Sequence, residues 1–178
     1  MRIADAATLF RTLLVFVVAY MIFVKYDALT TIIVIAIMFL LDAVDGKLAR
    51  FDKGKSKFGP RLDVAGDRVT EYVFWIVFVV LNIVPLFVLF IIVMRHSFVD
   101  AFMAGKGTSS KMRTGFARQI YASDLFRGGI GVVKAVVFSY LTLVYLAGWN
   151  AQIGNLLVAF LVLYILVRGA AEIYESTA

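Results

Sequence analysis

The sequence predicts an all-α integral membrane protein, a bundle of six transmembrane helices that forms a single domain over residues 1–178. Three observations predict this fold class: a very apolar composition, six apolar runs, and basic residues gathered between those runs. Hydrophobic residues make up 62% of the chain, and the mean hydropathy is +0.93. Charged residues make up 17%, against about 25% in an average soluble domain. A soluble chain of 178 residues cannot bury this much apolar surface, so lipid must be the solvent for much of it.

Six apolar runs mark the predicted membrane helices. A helix of about 20 mostly apolar residues crosses the hydrocarbon core of a bilayer, and six such helices leave only short connections in this chain. Pro85 separates the third run from the fourth, because proline interrupts a helix. The runs are Thr8–Val24, Leu29–Leu41, Tyr72–Val84, Leu86–Val99, Gly128–Leu146 and Ile153–Val167.

The distribution of lysine and arginine predicts the orientation of the bundle. An even number of spans places both termini on one side, together with the stretches Lys47–Arg68 and Arg95–Arg127, which contain seven and six basic residues. The turns on the opposite side contain a single basic residue, Lys25. By the positive-inside rule the crowded side is cytoplasmic. We therefore expect both termini, and an active site on this face, at the cytoplasmic side of the cell membrane.

The composition also excludes several classes of protein. The chain has no cysteine, which excludes a disulfide-stapled secreted scaffold. A net charge of +6 would fit a nucleic-acid binder, but these basic residues lie where loops meet anionic lipid headgroups. We therefore expect the lipid bilayer as a partner and no nucleic acid.

Four carboxylates lie at the ends of two predicted spans, where charged groups are costly. Asp42 and Asp45 are three residues apart, and Asp63 and Asp67 are four apart, so each pair shares one helix face. The connection between the two helices is short, which makes them antiparallel neighbours and brings the four carboxylates together. Because like charges in one site repel each other, the cluster predicts bound divalent cations.

The residue types also predict which metal binds there. Ligands that are all oxygen suit Mg²⁺ or Mn²⁺, and two such ions would cancel four negative charges. One histidine and no cysteine leave no site of nitrogen and sulfur ligands. Since Mg²⁺ commonly completes its coordination shell with substrate phosphates, we expect a ligand that carries a phosphate or a diphosphate.

Eight fixed positions connect these carboxylates in one 26-residue pattern, Asp42-x2-Asp45-Gly46-x2-Ala49-Arg50-x8-Gly59-x3-Asp63-x3-Asp67. The pattern resembles the signature of the CDP-alcohol phosphatidyltransferase family, with every fixed position at its expected spacing. Chance would produce such a match at roughly one start in 10^10, far below the false-positive risk of a short motif. The resemblance implies a membrane enzyme that transfers a phosphatidyl-type group from a CDP-linked donor to an alcohol and releases CMP.

The resemblance implies roles for individual residues of this chain. Asp42, Asp45 and Asp63 would hold the metal ions, and Asp67 would be either a further ligand or the catalytic base that deprotonates the acceptor hydroxyl. A second set would bind the donor, its small residues admitting the cytidine nucleotide and its basic residues facing the phosphates. That set comprises Gly46, Ala49, Arg50 and Gly59, together with Thr8 and Arg11, which match a Thr-x-x-Arg at the start of the first span in many members.

The acceptor is expected to be a polar alcohol that carries a phosphate, such as glycerol phosphate or inositol phosphate. Lys111 and Arg113 lie in a stretch that resembles a basic motif of members that accept phosphorylated polyols, and the subtype expected is therefore a synthase of phosphatidylglycerophosphate or phosphatidylinositol phosphate. Arginine and lysine suit phosphate recognition. The candidates for this contact are Lys111, Arg113, Arg127 and Arg168.

Several alternatives stay open from the sequence. Within the same chemistry, the acceptor could be unphosphorylated, such as serine, or the CDP group could sit on a small alcohol with a lipid as acceptor. From other classes, the acids could form the ring of a cation channel or transporter, or belong to a non-catalytic assembly protein. The donor could be CDP-diacylglycerol or an archaeal ether equivalent. The family and the many small residues in the spans favour a homodimer.

Four further ionisable residues inside or beside the spans carry their own expectations. Lys134 is expected to snorkel to the headgroups, and His96 is expected to form hydrogen bonds at the interface. Arg11 fits either snorkelling or a functional role. Glu71 could support the site from behind, or pair with Arg68 or Arg11.

Overall fold

A computed structural model describes the backbone of residues 3–51, 59–103 and 124–177, and the side chains of residues 6–42, 61–102 and 129–174. The described residues form helices and connecting turns, without a strand, which confirms the all-α prediction. The helices in chain order are α1 (Ile3–Phe23), α2 (Ala28–Phe51), α3 (Gly59–Val80), α4 (Leu86–Met103), α5 (Asp124–Ala147) and α6 (Ala151–Thr177).

Three tight turns connect α1 to α2, α3 to α4 and α5 to α6. Lys25 and Asn82 have φ values of 51° and 57°, and Gly148 has a φ of 68°, the left-handed conformation that ends many helices. Asp27 begins α2 as an N-cap, because the backbone N–H and the hydroxyl of Thr30 donate to its carboxylate at 2.7 and 2.8 Å. These two hydrogen bonds lower the pKa of Asp27. Lys25 Nζ of the first turn lies over the ring of Tyr145 near the third turn, 5.2 Å from its centroid, so these two turns share one end of the bundle. The later part of α2 and the first part of α3 meet away from that end.

Among the described helices, three are long and apolar enough to cross a bilayer. The segments are Ala6–Phe23 of α1, Gly129–Ala147 of α5 and Ala151–Tyr174 of α6, and α2 carries a shorter apolar segment. Large apolar side chains such as Leu13 and Leu156 point outwards from the bundle. Outward apolar side chains on long apolar helices are typical of a membrane protein. The count of six spans and the cytoplasmic position of the termini stay predictions.

The core of the bundle lies between α3 and its neighbours. Phe74 and Phe138 stack with their ring centroids 4.6 Å apart, and Trp75 meets Phe138 edge-on at 5.2 Å. Their side chains are completely or almost completely buried. Aromatic contacts of this kind add to the energy of burial, so the second half of α3 is firmly held. The first half of the same helix, which carries Asp63 and Asp67, is thereby held in a defined position against α1.

Candidate functional site

Three of the four predicted carboxylates meet at one point of the structure. Asp42 comes from α2, and Asp63 and Asp67 come from successive turns of α3. One carboxylate oxygen of each residue lies within 4.8 Å of the other two. The side chain of Asp45, one turn beyond Asp42, lies outside the described side chains. The expected convergence of the two antiparallel helix ends is therefore present for the three acids that the structure describes.

Close packing of α1 against α3 brings a cation to these acids. Gly66 is buried at the contact, and a Cβ at this position would lie 2.7 Å from Thr12 Oγ1 and 3.1 Å from Thr8 Cγ2. Real Cβ atoms essentially never lie as close as 2.7 Å to another heavy atom, so a larger residue than glycine would force Thr12 or α1 to move. The missing side chain therefore lets α1 approach α3 and bring Arg11 to the carboxylates.

The guanidinium of Arg11 lies between the carboxylates of two helices. Its Nη1 is 2.9 Å from Asp42 Oδ1, and its Nη2 is 2.8 Å from Asp67 Oδ1 and 3.6 Å from Asp63 Oδ1. The Arg11 side chain is 3% exposed, so it reaches the acids from within the bundle. Of the two roles that the sequence left open for Arg11, snorkelling to the headgroups is therefore wrong.

The charges of this cluster do not balance within the described residues. Three carboxylates carry three negative charges when ionised, and Arg11 supplies one positive charge. The side chains of Asp42, Asp63 and Asp67 are 30%, 48% and 44% exposed, so their oxygens are accessible to an ion. The residues therefore fit a divalent cation held by oxygen ligands.

A basic cavity opens directly beside the carboxylates. Its volume is about 200 Å³, and Asp67 forms part of its wall. Four cationic side chains from four helices line it, with His96 and Glu172 between them. The four cations are Arg68 of α3, Arg95 of α4, Lys134 of α5 and Arg168 of α6. The combination of convergent cations and a neighbouring acid cluster fits a small anionic ligand.

Carboxylates outside or at the edge of the cavity hold these cations in place. Arg68 Nη2 lies 2.9 Å from Asp100 Oδ1, and Arg95 Nη2 lies 2.9 Å from Glu172 Oε2. Arg168 Nε lies 3.5 Å from the other oxygen of Glu172. The bound carboxylates fix the directions of the long side chains, which reduces the entropy that binding an anion would otherwise cost.

Lys134 pairs with Glu71, whose side chain is the most buried carboxylate of these ion pairs. Glu71 is 2% exposed. Its carboxylate accepts hydrogen bonds from the ammonium of Lys134 and from the indole N–H of Trp75. Its Oε2 also lies 3.6 Å from His96 Nε2. The expectation that Lys134 snorkels is wrong, because its charge is compensated inside the bundle. His96 is buried rather than placed at an interface, and its Nδ1 lies 3.2 Å from the hydroxyl of Tyr72.

The sequence profile of a known family matches most of this chain. The profile described as CDP-alcohol phosphatidyltransferase matches residues 1–167. The chain belongs to the CDP-alcohol phosphatidyltransferase family. No match was found among curated proteins. Family membership implies transfer of a phosphatidyl-type group from a CDP-alcohol to an acceptor, and such enzymes generally depend on a divalent metal, for which the three acids are suitable ligands.

The structure describes some of the residues predicted to bind substrates. Thr8 is buried against Gly66, and Arg168 lines the basic cavity. Lys111 and Arg113 lie outside the described residues. The remaining predicted residues lie on described helices, but their side chains are outside the described set; these are Gly46, Ala49, Arg50, Gly59 and Arg127.

Sequence reasoning missed most of the residues that line the basic cavity. Arg95, Lys134 and Glu172 each lie next to apolar residues on a different helix. Charged residues at such positions indicate function or pairing, and this signal was present in the sequence. Their partners could not be found there, because no local spacing relates residues on separate helices.

Proposed function

We propose that this chain is a membrane transferase of phospholipid biosynthesis that moves a phosphatidyl-type group from a CDP-linked lipid to a phosphorylated polar alcohol and releases CMP. The acceptor class is that of glycerol phosphate or inositol phosphate. The observation that carries the proposal is that Asp67 belongs both to the acid cluster and to the wall of the basic cavity. A metal-bound diphosphate and an anionic acceptor would therefore meet at this residue.

The acid cluster would hold the metal ions of the reaction. Asp42, Asp63 and Asp67 are the described ligands, and Asp45 is the fourth ligand that the family signature implies. We propose two Mg²⁺ or Mn²⁺ ions for the complete set of four acids. When bound, these ions would neutralise the donor diphosphate and the departing CMP.

Asp67 would act as the general base from its position in the cavity wall. The acceptor hydroxyl would give its proton to the Asp67 carboxylate, and its oxygen would attack the β-phosphorus of the donor in line. A new phosphorus–oxygen bond forms as the bond to the CMP oxygen breaks. The role requires one carboxylate oxygen to face the acceptor, and Oδ1 is the oxygen that contacts Arg11.

Donor binding would use the small and basic residues of the signature. Gly46, Ala49 and Gly59 would leave room for the cytidine nucleotide, and Arg50 would face its phosphates, as the family resemblance implies. Thr8 and Arg11 would border the same space from α1, where Arg11 lies against the acid cluster. The lipid tails could stay in the bilayer, because Asp42 lies at the end of the apolar segment of α2.

The cavity favours a phosphorylated acceptor over a neutral one. Arg68, Arg95, Lys134 and Arg168 converge on it, and a phosphate would accept charge-assisted hydrogen bonds from such a group. An acceptor such as serine has no phosphate oxygens to accept these charge-assisted hydrogen bonds. Lys111, Arg113 and Arg127 are further proposed contacts for the acceptor, from the motif in the sequence. We also propose a homodimer in the cell membrane with its site on the cytoplasmic side, on the basis of the family and of the basic loops.

Release of CMP from a defined donor tests this function. The purified chain in lipid nanodiscs is incubated with CDP-diacylglycerol and Mg²⁺, and separately with glycerol phosphate, inositol phosphate or serine. CMP and a new lipid are expected with a phosphorylated acceptor. Product from serine alone would support the unphosphorylated alternative, and ion flux through liposomes without CMP release would support a channel.

Two variants connect the assay to the proposed residues. Asp42→Asn is expected to lose Mg²⁺-dependent CMP release, whereas Asp27→Asn, an exposed cap at the other end of α2, is expected to keep it, because asparagine also caps helices. Asp67→Asn is expected to bind CDP-lipid but to turn over about 100-fold or more slowly, the usual contribution of a general base. Near-normal turnover of Asp67→Asn would reject this residue as the base.

A further inference from the structure

One side chain of the protein contacts the carboxylates that a metal ion would need as ligands. Asp42 Oδ1 and Asp67 Oδ1 contact the guanidinium of Arg11 at 2.9 and 2.8 Å. The three carboxylates that surround it are also the described set whose oxygens lie close enough together to share an ion. A guanidinium and a divalent cation repel each other, so both cannot keep full contact with the same oxygens.

The burial of Arg11 shows how strongly it depends on these contacts. The residue is almost completely buried, and its Nε has no hydrogen-bond acceptor among the residues that the structure describes. Its described ion pairs therefore run through the two Nη atoms to the acid cluster. An ion from solution would approach the more exposed side of the carboxylates, whereas Arg11 approaches from within the bundle.

The contact between α1 and α3 positions this guanidinium. A Cβ on Gly66 would lie 2.7 Å from Thr12 Oγ1, whereas Arg11 Nη2 would be 3.7 Å away, at an ordinary contact distance. The bare backbone of α3 thus leaves space for α1, and α1 carries Arg11 to the acids. The arrangement makes Arg11 a fixed part of the acid cluster rather than a surface side chain that folds over it.

We propose that Arg11 is a built-in counter-ion that compensates the acid cluster before the metal binds and competes with the divalent cation for Asp42 and Asp67. Metal loading then requires the guanidinium to withdraw from at least one carboxylate. The Arg11 Nε, which has no acceptor among the described residues, and the Nη atoms that leave a carboxylate can then donate hydrogen bonds to the phosphates of the donor. The inference rests on the proposed function for the role of the ion. What it adds is a competition between the Arg11 guanidinium and the divalent ion for the carboxylates of Asp42 and Asp67.

The competition predicts that removing Arg11 changes metal affinity and stability in opposite directions. Arg11→Gln is expected to bind Mn²⁺ at least tenfold more tightly than wild type in the absence of substrates, because the repulsive charge is gone. The same variant is expected to have a lower melting temperature without metal and a larger rise on adding Mn²⁺. Arg11→Lys keeps the charge and should stay within threefold of wild type. Lys25→Gln removes a cation at the far end of α1 and should change neither quantity.

Mn²⁺ binding is measured on the full chain in nanodiscs by electron paramagnetic resonance, and stability by thermal unfolding. Equal or weaker Mn²⁺ binding by a folded Arg11→Gln would overturn the proposal, and so would tight binding by Arg11→Lys. If Arg11→Gln does not fold, the side-chain ¹⁵N signal of Arg11 in the wild type is followed during a Mg²⁺ titration. A shift that saturates with Mg²⁺ supports displacement, and an unchanged signal at saturation overturns it.

The outcome can be separated from that of the proposed function. Wild-type CMP release and its loss in Asp42→Asn test the transferase itself. A working transferase whose Arg11→Gln variant shows no gain in Mn²⁺ affinity would refute the counter-ion alone. A chain that binds Mn²⁺ competitively with Arg11 but releases no CMP would refute the transferase and keep the counter-ion.

Discussion

Removing one partner of the Glu71–Lys134 pair should destabilise the protein far more than replacing both. Glu71 is 2% exposed and Lys134 is 17% exposed, and the two link α3 to α5 inside the bundle. A buried charge that loses its partner costs about 3–5 kcal/mol. Because Lys134 is slightly exposed and can turn outwards, we expect about 3 kcal/mol for either Glu71→Leu or Lys134→Met.

The double variant should recover most of this loss. Two apolar side chains of similar size can replace a buried ion pair with little change in stability. The remaining cost comes from Trp75 Nε1, which loses the carboxylate of Glu71 as its acceptor, and an unsatisfied buried donor costs about 1–2 kcal/mol. The two single losses sum to about 6 kcal/mol, so a double-mutant cycle should return a coupling energy of about 4 kcal/mol, above the roughly 0.5–3 kcal/mol of most contacting pairs.

Reversible unfolding by denaturant in detergent micelles measures these differences. Asp100→Asn serves as a matched control, because the Arg68–Asp100 pair also joins two helices but Asp100 is 48% exposed. An exposed pair of this kind contributes at most about 1 kcal/mol. Additive losses in the cycle, or an Asp100→Asn loss as large as that of Glu71→Leu, would refute the reasoning that burial makes the Glu71–Lys134 pair costly to break.

Three further predictions concern packing, the acceptor and the metal. Gly66→Ala should lower the free energy of unfolding by about 1–2 kcal/mol, because the new Cβ overpacks against Thr12. Gly131→Ala, whose Cβ would meet nothing within 4 Å, should raise the free energy of unfolding by about 0.5–1 kcal/mol, because alanine favours a helix. Thermal unfolding distinguishes the loss from the gain. Arg168→Gln should raise KM for the phosphorylated acceptor about tenfold or more, since a hydrogen bond to a charged group contributes about 1.5–3 kcal/mol, and should leave KM for the CDP-lipid nearly unchanged. Chelation of the metal by EDTA should stop CMP release. Mg²⁺ at 100 times its Kd should stabilise the folded protein by about 2.7 kcal/mol. A melting temperature that Mg²⁺ does not change would count against a metal at Asp42 and Asp67.

The acid cluster was predictable from the sequence because its geometry is local. Asp63 and Asp67 share a face through helical periodicity, and a short connection sets the end of α2 beside the start of α3. The basic cavity has no such local rule. Arg95, Lys134 and Arg168 lie on three helices, and their common depth depends on how far each helix slides along its neighbours. Side-chain packing sets that register, and one part of it is the close approach of α1 and α3 at Gly66. The spacing of residues in the sequence does not predict such contacts.

The ion pairs of the site also join the helices of the bundle. Arg11 connects α1 to α2 and α3, Lys134 connects α5 to α3, and Arg95 connects α4 to α6. Apolar helices gain little from one another in lipid through the hydrophobic effect, so packing and polar contacts must hold them together. The charges that we propose for substrate and metal binding thus also define the tertiary structure. An anion in the cavity or a cation on the acids adds opposite charge to groups already in place, so each ligand should stabilise the whole bundle rather than one loop.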